Sequence, residues 1–457
     1  MSDQSKENSI SHDDPPVKDA VDTESKGQRT PSGEPVQEVK TSYYLLMVYA
    51  AVFGAGGGLL AVLFLVVYHW GITFFAQPSH FGLNIGRFWP LVLLTVGGLL
   101  VGLAIKFTGE HGGTGVAQRQ YAQTGQITPR YVPSIILEAI ITLWSGAPVG
   151  PEAPLSFLSG GVGSFFADHL KIEKEDIPLL VYSTIAGCFG GFFGSPIVGA
   201  VGAYEYMFIH EINFYRHVIP GLLAASFGYG VYWVLLHTSY LGYYSFPNYT
   251  SPRLIDLGWA IVIGVISAVV GTLFKLVFGL MHLVFAPLNK RPVIRAIAGG
   301  VIIGLIGSFI PLTLYSGQQQ LQEIIHNPAA YSALFLLLLV LVKALLTSTS
   351  FATGLEGGPI FPFLFIGGTL GLAISQLFPF IPQGVGVTTA MAGVTSAGFP
   401  IPLTVAMLLG IFGGQIDLLP TITLGAVAGF LTAKALEPLL PNPKPAAPPR
   451  SGGAKTT

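Results

Sequence analysis

The sequence predicts an all-α polytopic membrane protein in which one membrane unit occurs twice. Three observations predict it. The chain is 51% hydrophobic and only 10% charged, with a mean hydropathy of +0.63, and several stretches reach the roughly 20 apolar residues that cross a bilayer. A Gly-Pro-x-x-Pro pentad opens an apolar segment in two places, Gly150-Pro151-Glu152-Ala153-Pro154 and Gly358-Pro359-Ile360-Phe361-Pro362. The flanks repeat in register: Gly160 and Gly163 follow the first pentad as Gly368 and Gly371 follow the second, and Ala186-Gly187 precedes Pro196 as Ala392-Gly393 precedes Pro402. Internal symmetry with hydrophobic segments interrupted by Gly and Pro points, in transporters, to the substrate site.

Taken in order, residues 1–40 hold 14 of the 45 charged side chains and show no apolar periodicity, which predicts a disordered tail. No basic region, hydrophobic run and small-residue cleavage site follow one another there, so the stretch does not read as a signal peptide. Tyr43 to Trp70 reads as an internal signal-anchor. Apolar runs then recur near 90–106, 131–149, 154–170, 176–190, 195–212, 216–238, 255–285, 293–312, 330–350, 360–378, 386–411 and 420–437. Those at 154–170, 176–190 and 386–411 are rich in Gly and predicted to end inside the membrane, where broken backbone survives only when buried in protein or lining a cavity. Lys290, Arg291 and Arg295 form a basic cluster between two runs, and Lys444, Arg450 and Lys455 give the C-terminal stretch the same sign. Both ends are therefore expected in the cytoplasm, with the protein in the cell (inner) membrane. The expected division is a tail over 1–40, a transmembrane domain over 41–440 and a Pro/Ala/Gly-rich tail over 441–457.

Several function classes are set aside. A formal net charge of −1 gives nucleic acid no purchase. The single cysteine, Cys188, excludes an internal disulfide framework and a cysteine metal cluster. His-Glu-x-x-His, Gly-x-Ser-x-Gly and Walker A motifs are missing, so an intramembrane enzyme is not expected.

The pentads carry the chemistry. Proline in the first turn of a helix sacrifices no hydrogen bond, and glycine lets the preceding chain bend. The free N–H groups of that turn, with the positive end of the helix dipole, make an anion site without a cationic side chain. Two such termini meeting at mid-membrane can hold a small anion. Glu152 is the ionisable residue within the two pentads. A carboxylate at bilayer depth costs roughly 2.5–3.5 kcal/mol on insertion scales, which makes it a functional candidate. Ionised, it competes with the anion; protonated, it steps aside. A structural carboxylate bonded to backbone is the plainer alternative.

Gly113-Thr114-Gly115-Val116, the first pentad, Phe193-Gly194-Ser195-Pro196-Ile197 leading to Glu205, the second pentad and Phe365-Ile366-Gly367 follow one another in this order. On these residues the chain resembles the CLC family of chloride channels and chloride/proton antiporters, over roughly 43–440. The resemblance implies a CLC-type inverted repeat: two antiparallel halves with about eighteen helical segments, many not fully spanning. It also implies a homodimer with an independent chloride path in each subunit and no cofactor. Thr114, between Gly113 and Gly115, matches the serine whose hydroxyl touches the central ion, although threonine there can equally cap its helix. The N–H groups of Ile360 and Phe361 would point at the same ion, with Ala153 beside the path. Glu152 matches the gating glutamate.

The departures from the family pattern are specific. Pro151 replaces a basic residue, Ala153 a glycine, and Pro359 removes one N–H donor. Tyr206 falls where many antiporters have an inner glutamate, and reads either as an ordinary packing aromatic or as a hydroxyl on an inner proton path; Glu205, the other acid there, is either a proton relay or a structural group. Leu440 stands near the expected inner-gate tyrosine. Of three remaining polar residues, His111 reads as a loop histidine, Lys343 is expected to pair or snorkel, and Glu356 is an unusual acid at an anion-facing turn. The expected function is chloride transport gated by Glu152, channel-like or weakly proton-coupled, with stoichiometric chloride/proton antiport as the alternative. Thr114 matches neither the methionine of fluoride carriers nor the proline of nitrate carriers.

Overall fold

A computed structural model describes residues 42–83, 85–109, 113–170, 173–207, 214–237 and 243–440. The expected tails, His111 and the side chains of residues 113–117 and 214–215 lie outside the described residues. Among these, sixteen α-helices and nine short 3-10 turns occur, against the eighteen or so segments expected. The first half holds α1 (Tyr43–Phe75), α2 (Trp89–Thr108), α3 (Gly113–Thr124), α4 (Val132–Trp144), α5 (Glu152–Ala167), α6 (Ile177–Phe192), α7 (Pro196–Tyr206) and α8 (Phe214–Leu236). The second holds α9 (Leu254–Phe285), α10 (Pro292–Phe309), α11 (Gln318–His326), α12 (Ala333–Thr353), α13 (Ile360–Leu377), α14 (Gln383–Gly398), α15 (Pro402–Gly413) and α16 (Leu419–Leu436).

The packing repeats with the sequence. Helix α6 lies against α1 and α8 as α14 lies against α9 and α16, and α5 meets α6 as α13 meets α14. Across the halves, α2 packs on α10 and α7 on α15, each element on its own counterpart. That is what a two-fold axis between the halves requires. The axis shows most sharply where Gly150 and Gly358, the same position in each pentad, form an antiparallel bridge. Each N–H donates to the other's carbonyl, at 2.7 and 2.6 Å.

Helix length separates shell from core. Among the described residues eight helices are long and apolar enough to cross a membrane, α1, α2, α8, α9, α10 and α16 among them. Their outward faces, such as Val48, Val52 and Leu63 of α1 and Val262, Val265 and Val269 of α9, are open apolar surface. Helices α5, α6 and α14 have 16 residues each, about 24 Å against a hydrocarbon core of roughly 30 Å. Along with α13 they are almost wholly buried, so their ends meet protein. Glycine permits the approach: a Cβ on Gly187 would lie 2.1 Å from the carbonyl oxygen of Gly54, and one on Gly228 2.1 Å from that of Gly187. In the second half a Cβ on Gly429 would lie 2.5 Å from the oxygen of Gly393.

Prolines set the starts. Pro196 and Pro402 each open a helix, with Ser195 accepting from the Val198 N–H at 3.4 Å as N-cap. The apolar run at 386–411 is two helices, α14 and α15, because Pro400 and Pro402 cannot continue the first. One charge expectation is corrected. Arg295 does not belong to an exposed basic loop: it is buried within α10 and donates to Asn289 Oδ1 at 3.1 Å. Lys290 and Arg291 remain exposed between α9 and α10.

Candidate anion site

The two pentads meet at the axis, and each opens a helix: α5 begins at Glu152 and α13 at Ile360. The lead-in to the first pentad is held from the second half. Thr347 Oγ1 on α12 donates to the Pro148 carbonyl at 2.9 Å, and the Tyr315 N–H donates to the Gly146 carbonyl at 2.9 Å. Glu152 is fully buried. Its side chain folds across the axis, where Oε1 accepts the Ile360 N–H at 2.5 Å, and the Phe361 N–H is directed at the same carboxylate. The side chain fills the crevice between the pentads: a Cβ on Gly150 would lie 2.0 Å from Oε2, and one on Gly358 2.0 Å from Cδ. With the carboxylate in this seat neither position has room for a side chain, and a Cβ at either would displace it. Oε2 has no hydrogen-bond partner among the described residues. Tyr68 of α1 and Tyr206 of α7 stand within electrostatic reach of this carboxylate.

The structure thus brings together Glu152, Ala153, Ile360 and Phe361, the last three also buried. Pro359, without an N–H, precedes the first donor, Ile360. The Phe361 ring packs edge-on against Phe192 at 5.9 Å and stacks on Phe412 at 6.5 Å. Helix α3 starts at Gly113, placing Gly113, Thr114 and Gly115 in a first helical turn; the Thr114 side chain lies outside the described residues. Gln118 on the same helix donates to the Tyr206 carbonyl at 3.0 Å, tying α3 to the end of α7. Sequence patterning did not single out Gln118 or Tyr68, since both approach through tertiary packing.

Two acids and a lysine take different places. Glu205 turns to α15, accepting from Leu403 N–H at 3.1 Å, Thr404 N–H at 2.7 Å and Thr404 Oγ1 at 2.6 Å. It is a helix N-cap supplied from the other half. Of the two expectations for Lys343, pairing or snorkelling, the second is overturned: it is fully buried at mid-α12, and its partners are backbone carbonyls. Nζ donates to the carbonyls of Thr313, Leu314 and Tyr315 at 3.0, 3.2 and 2.7 Å, and lies 5.0 Å from the centroid of the Phe365 ring. Three carbonyls match the three N–H bonds of an ammonium. They converge because the chain turns sharply there, with Tyr315 at φ +54°. Glu356 is half-buried just before the second pentad, and Leu440 is half-buried after α16, where its N–H donates to the Glu437 carbonyl at 3.1 Å.

Comparison with known proteins follows this geometry. The family model described as "Voltage gated chloride channel" matches residues 97–434, well over half of the chain. The chain belongs to the CLC family. It is therefore an integral, multi-pass membrane protein for CLC-type anion transport. YfeO of Salmonella typhimurium, named for ion transport, is 28% identical over 313 residues, covering 67% of this chain and 74% of its own. YfeO of Salmonella choleraesuis is 28% identical over 324 residues, 69% of this chain and 76% of its own. Among solved structures, a slow cyanobacterial chloride/proton antiporter superposes with a TM-score of 0.74 at 19% identity, covering 86% of this chain and 94% of its own. A CLC-type fluoride/proton antiporter gives 0.73 at 19%, covering 87% and 98%. At such identity these likenesses speak to the fold.

Proposed function

We propose that this CLC chain carries chloride through a path at the pentad contact, gated by Glu152, in a channel-like or weakly proton-coupled manner. The observation that carries the reading is the Glu152 carboxylate seated on the α13 N-terminus, with Ile360 N–H at 2.5 Å. A helix N-terminus binds anions, and here the anion on it belongs to the protein itself. Ionised Glu152 occupies the donors; protonation removes its charge and frees them for chloride. Flux therefore rises as pH falls. Thr114, with Gly113 and Gly115 at the start of α3, and Ala153 complete the lining in this reading. Weak coupling is favoured because Glu205 is committed to three hydrogen bonds at α15, while Tyr206 occupies the neighbouring position. The alternative, stoichiometric exchange of chloride for protons, is favoured by the antiporters among the similar folds.

The assembly in this reading is a homodimer with one path per subunit, in the cell (inner) membrane. The exposed Lys290 and Arg291 face the cytoplasm, as do both termini. The test is flux in liposomes. Glu152→Gln keeps chloride flux but flattens its pH dependence; a variant that retains the wild-type pH profile sinks the gating role. A chloride gradient across wild-type vesicles moves few protons uphill, whereas a fixed proton-to-chloride ratio selects the alternative.

A further inference from the structure

Within electrostatic reach of the seated carboxylate lies a second buried polar atom without a hydrogen-bond partner among the described residues. Tyr206 is 1% exposed, and its hydroxyl has no hydrogen-bond partner among the described residues. Its position is fixed. The ring is held edge-on by Phe189 at 5.5 Å and at a tilt by Phe399 at 5.3 Å, and its carbonyl is held by Gln118. The hydroxyl lies near Ser156, one turn along α5 from Glu152, and within electrostatic reach of the Glu152 carboxylate. Ser156 Oγ already donates to the Ala153 carbonyl at 2.7 Å. A buried donor with no acceptor is costly and rare in folded proteins. Glu152 Oε2, a buried acceptor likewise without a partner among the described residues, lies at the same helix start.

We propose that the Tyr206 hydroxyl is a direct ligand of the transported anion, a small monovalent halide. The ion accepts from Tyr206 on one side and from the α13 N–H groups on the other once Glu152 is protonated. A phenol is a neutral donor, so it favours the anion without holding it as a fixed positive charge does. This assigns Tyr206 to anion binding rather than to a proton path, and it rests on the pentads being the anion path.

The test uses Tyr206→Phe, which keeps the ring, in purified full-length dimer or monomer as it is isolated. Chloride affinity is measured by calorimetry with gluconate as the replacing anion, alone and in the Glu152→Gln background. The expected result is about a tenfold weaker affinity in both, the low end for a hydrogen bond to a charged group. The unfolding midpoint without chloride stays level or rises, because an unsatisfied hydroxyl has gone, while the chloride-induced rise shrinks. Unchanged chloride affinity, or a midpoint that falls equally with and without chloride, overturns the assignment. If Glu152→Gln itself binds no chloride, the anion-path reading fails first; if it binds chloride and Tyr206→Phe changes nothing, only this inference fails.

Discussion

Replacing Lys343 by methionine tests whether a buried cation can be structural without an acidic partner. The substitution keeps an unbranched side chain one atom shorter and removes three donors from the carbonyls of Thr313, Leu314 and Tyr315. Each buried carbonyl left unpaired costs about 1–3 kcal/mol, so the loss is roughly 6 kcal/mol at the middle of that range. The ammonium no longer has to be stripped of water, which returns several kcal/mol. Relaxation of Tyr315 from its positive φ returns about 1 kcal/mol more at the low end of backbone strain. The net expectation is a destabilisation of about 1–2 kcal/mol, read as a fall of a few degrees in the unfolding midpoint in detergent. Chloride flux should fall as well, because the Tyr315 N–H and the Gly146 carbonyl tie this turn to the first pentad. A Lys343→Met protein as stable as wild type, with normal flux, would show that the three carbonyls find other partners and would refute the reasoning.

The remaining predictions concern the crevice and the cap. Gly358→Ala puts a Cβ 2.0 Å from Glu152 Cδ, so the carboxylate must leave its seat; flux should continue and lose its pH dependence in the liposome assay, whereas an intact pH profile contradicts the seating. Glu205→Ala removes the α15 cap and should cost about 1–2 kcal/mol of stability. Glu205→Gln, which keeps an acceptor oxygen, should leave chloride flux and any proton movement unchanged; loss of proton movement in that variant would make Glu205 a relay instead.

Much of the architecture was legible because its signals are local. The Gly-Pro-x-x-Pro pentads mark the starts of α5 and α13, and Pro196 and Pro402 those of α7 and α15, since proline and glycine act on their own stretch of backbone. The burial of the Gly-rich short helices followed from the same logic. Glu152, Ile360 and Phe361 converge as expected. What stayed hidden depends on partners far along the chain. Glu205 finds Thr404 in the opposite half, and Lys343 finds a turn at residues 313–315. Arg295 carries a charge that suggests a loop, yet α10 buries it. No periodicity in hydropathy encodes such pairings. Tyr206 read as a packing residue or a proton-path candidate, and only the burial of its unpartnered hydroxyl within electrostatic reach of Glu152 made it a candidate ligand.

The handshake between Gly150 and Gly358 has a consequence for how this chain can change over time. Duplicated segments ordinarily drift independently once each does its own job. Here the opening of each copy is braced by the other, so an insertion of one residue ahead of either glycine would unseat both. A fragment carrying one copy alone would lack the strut that shapes its own entrance. Loops elsewhere are free to lengthen, but this junction has to be inherited as a pair.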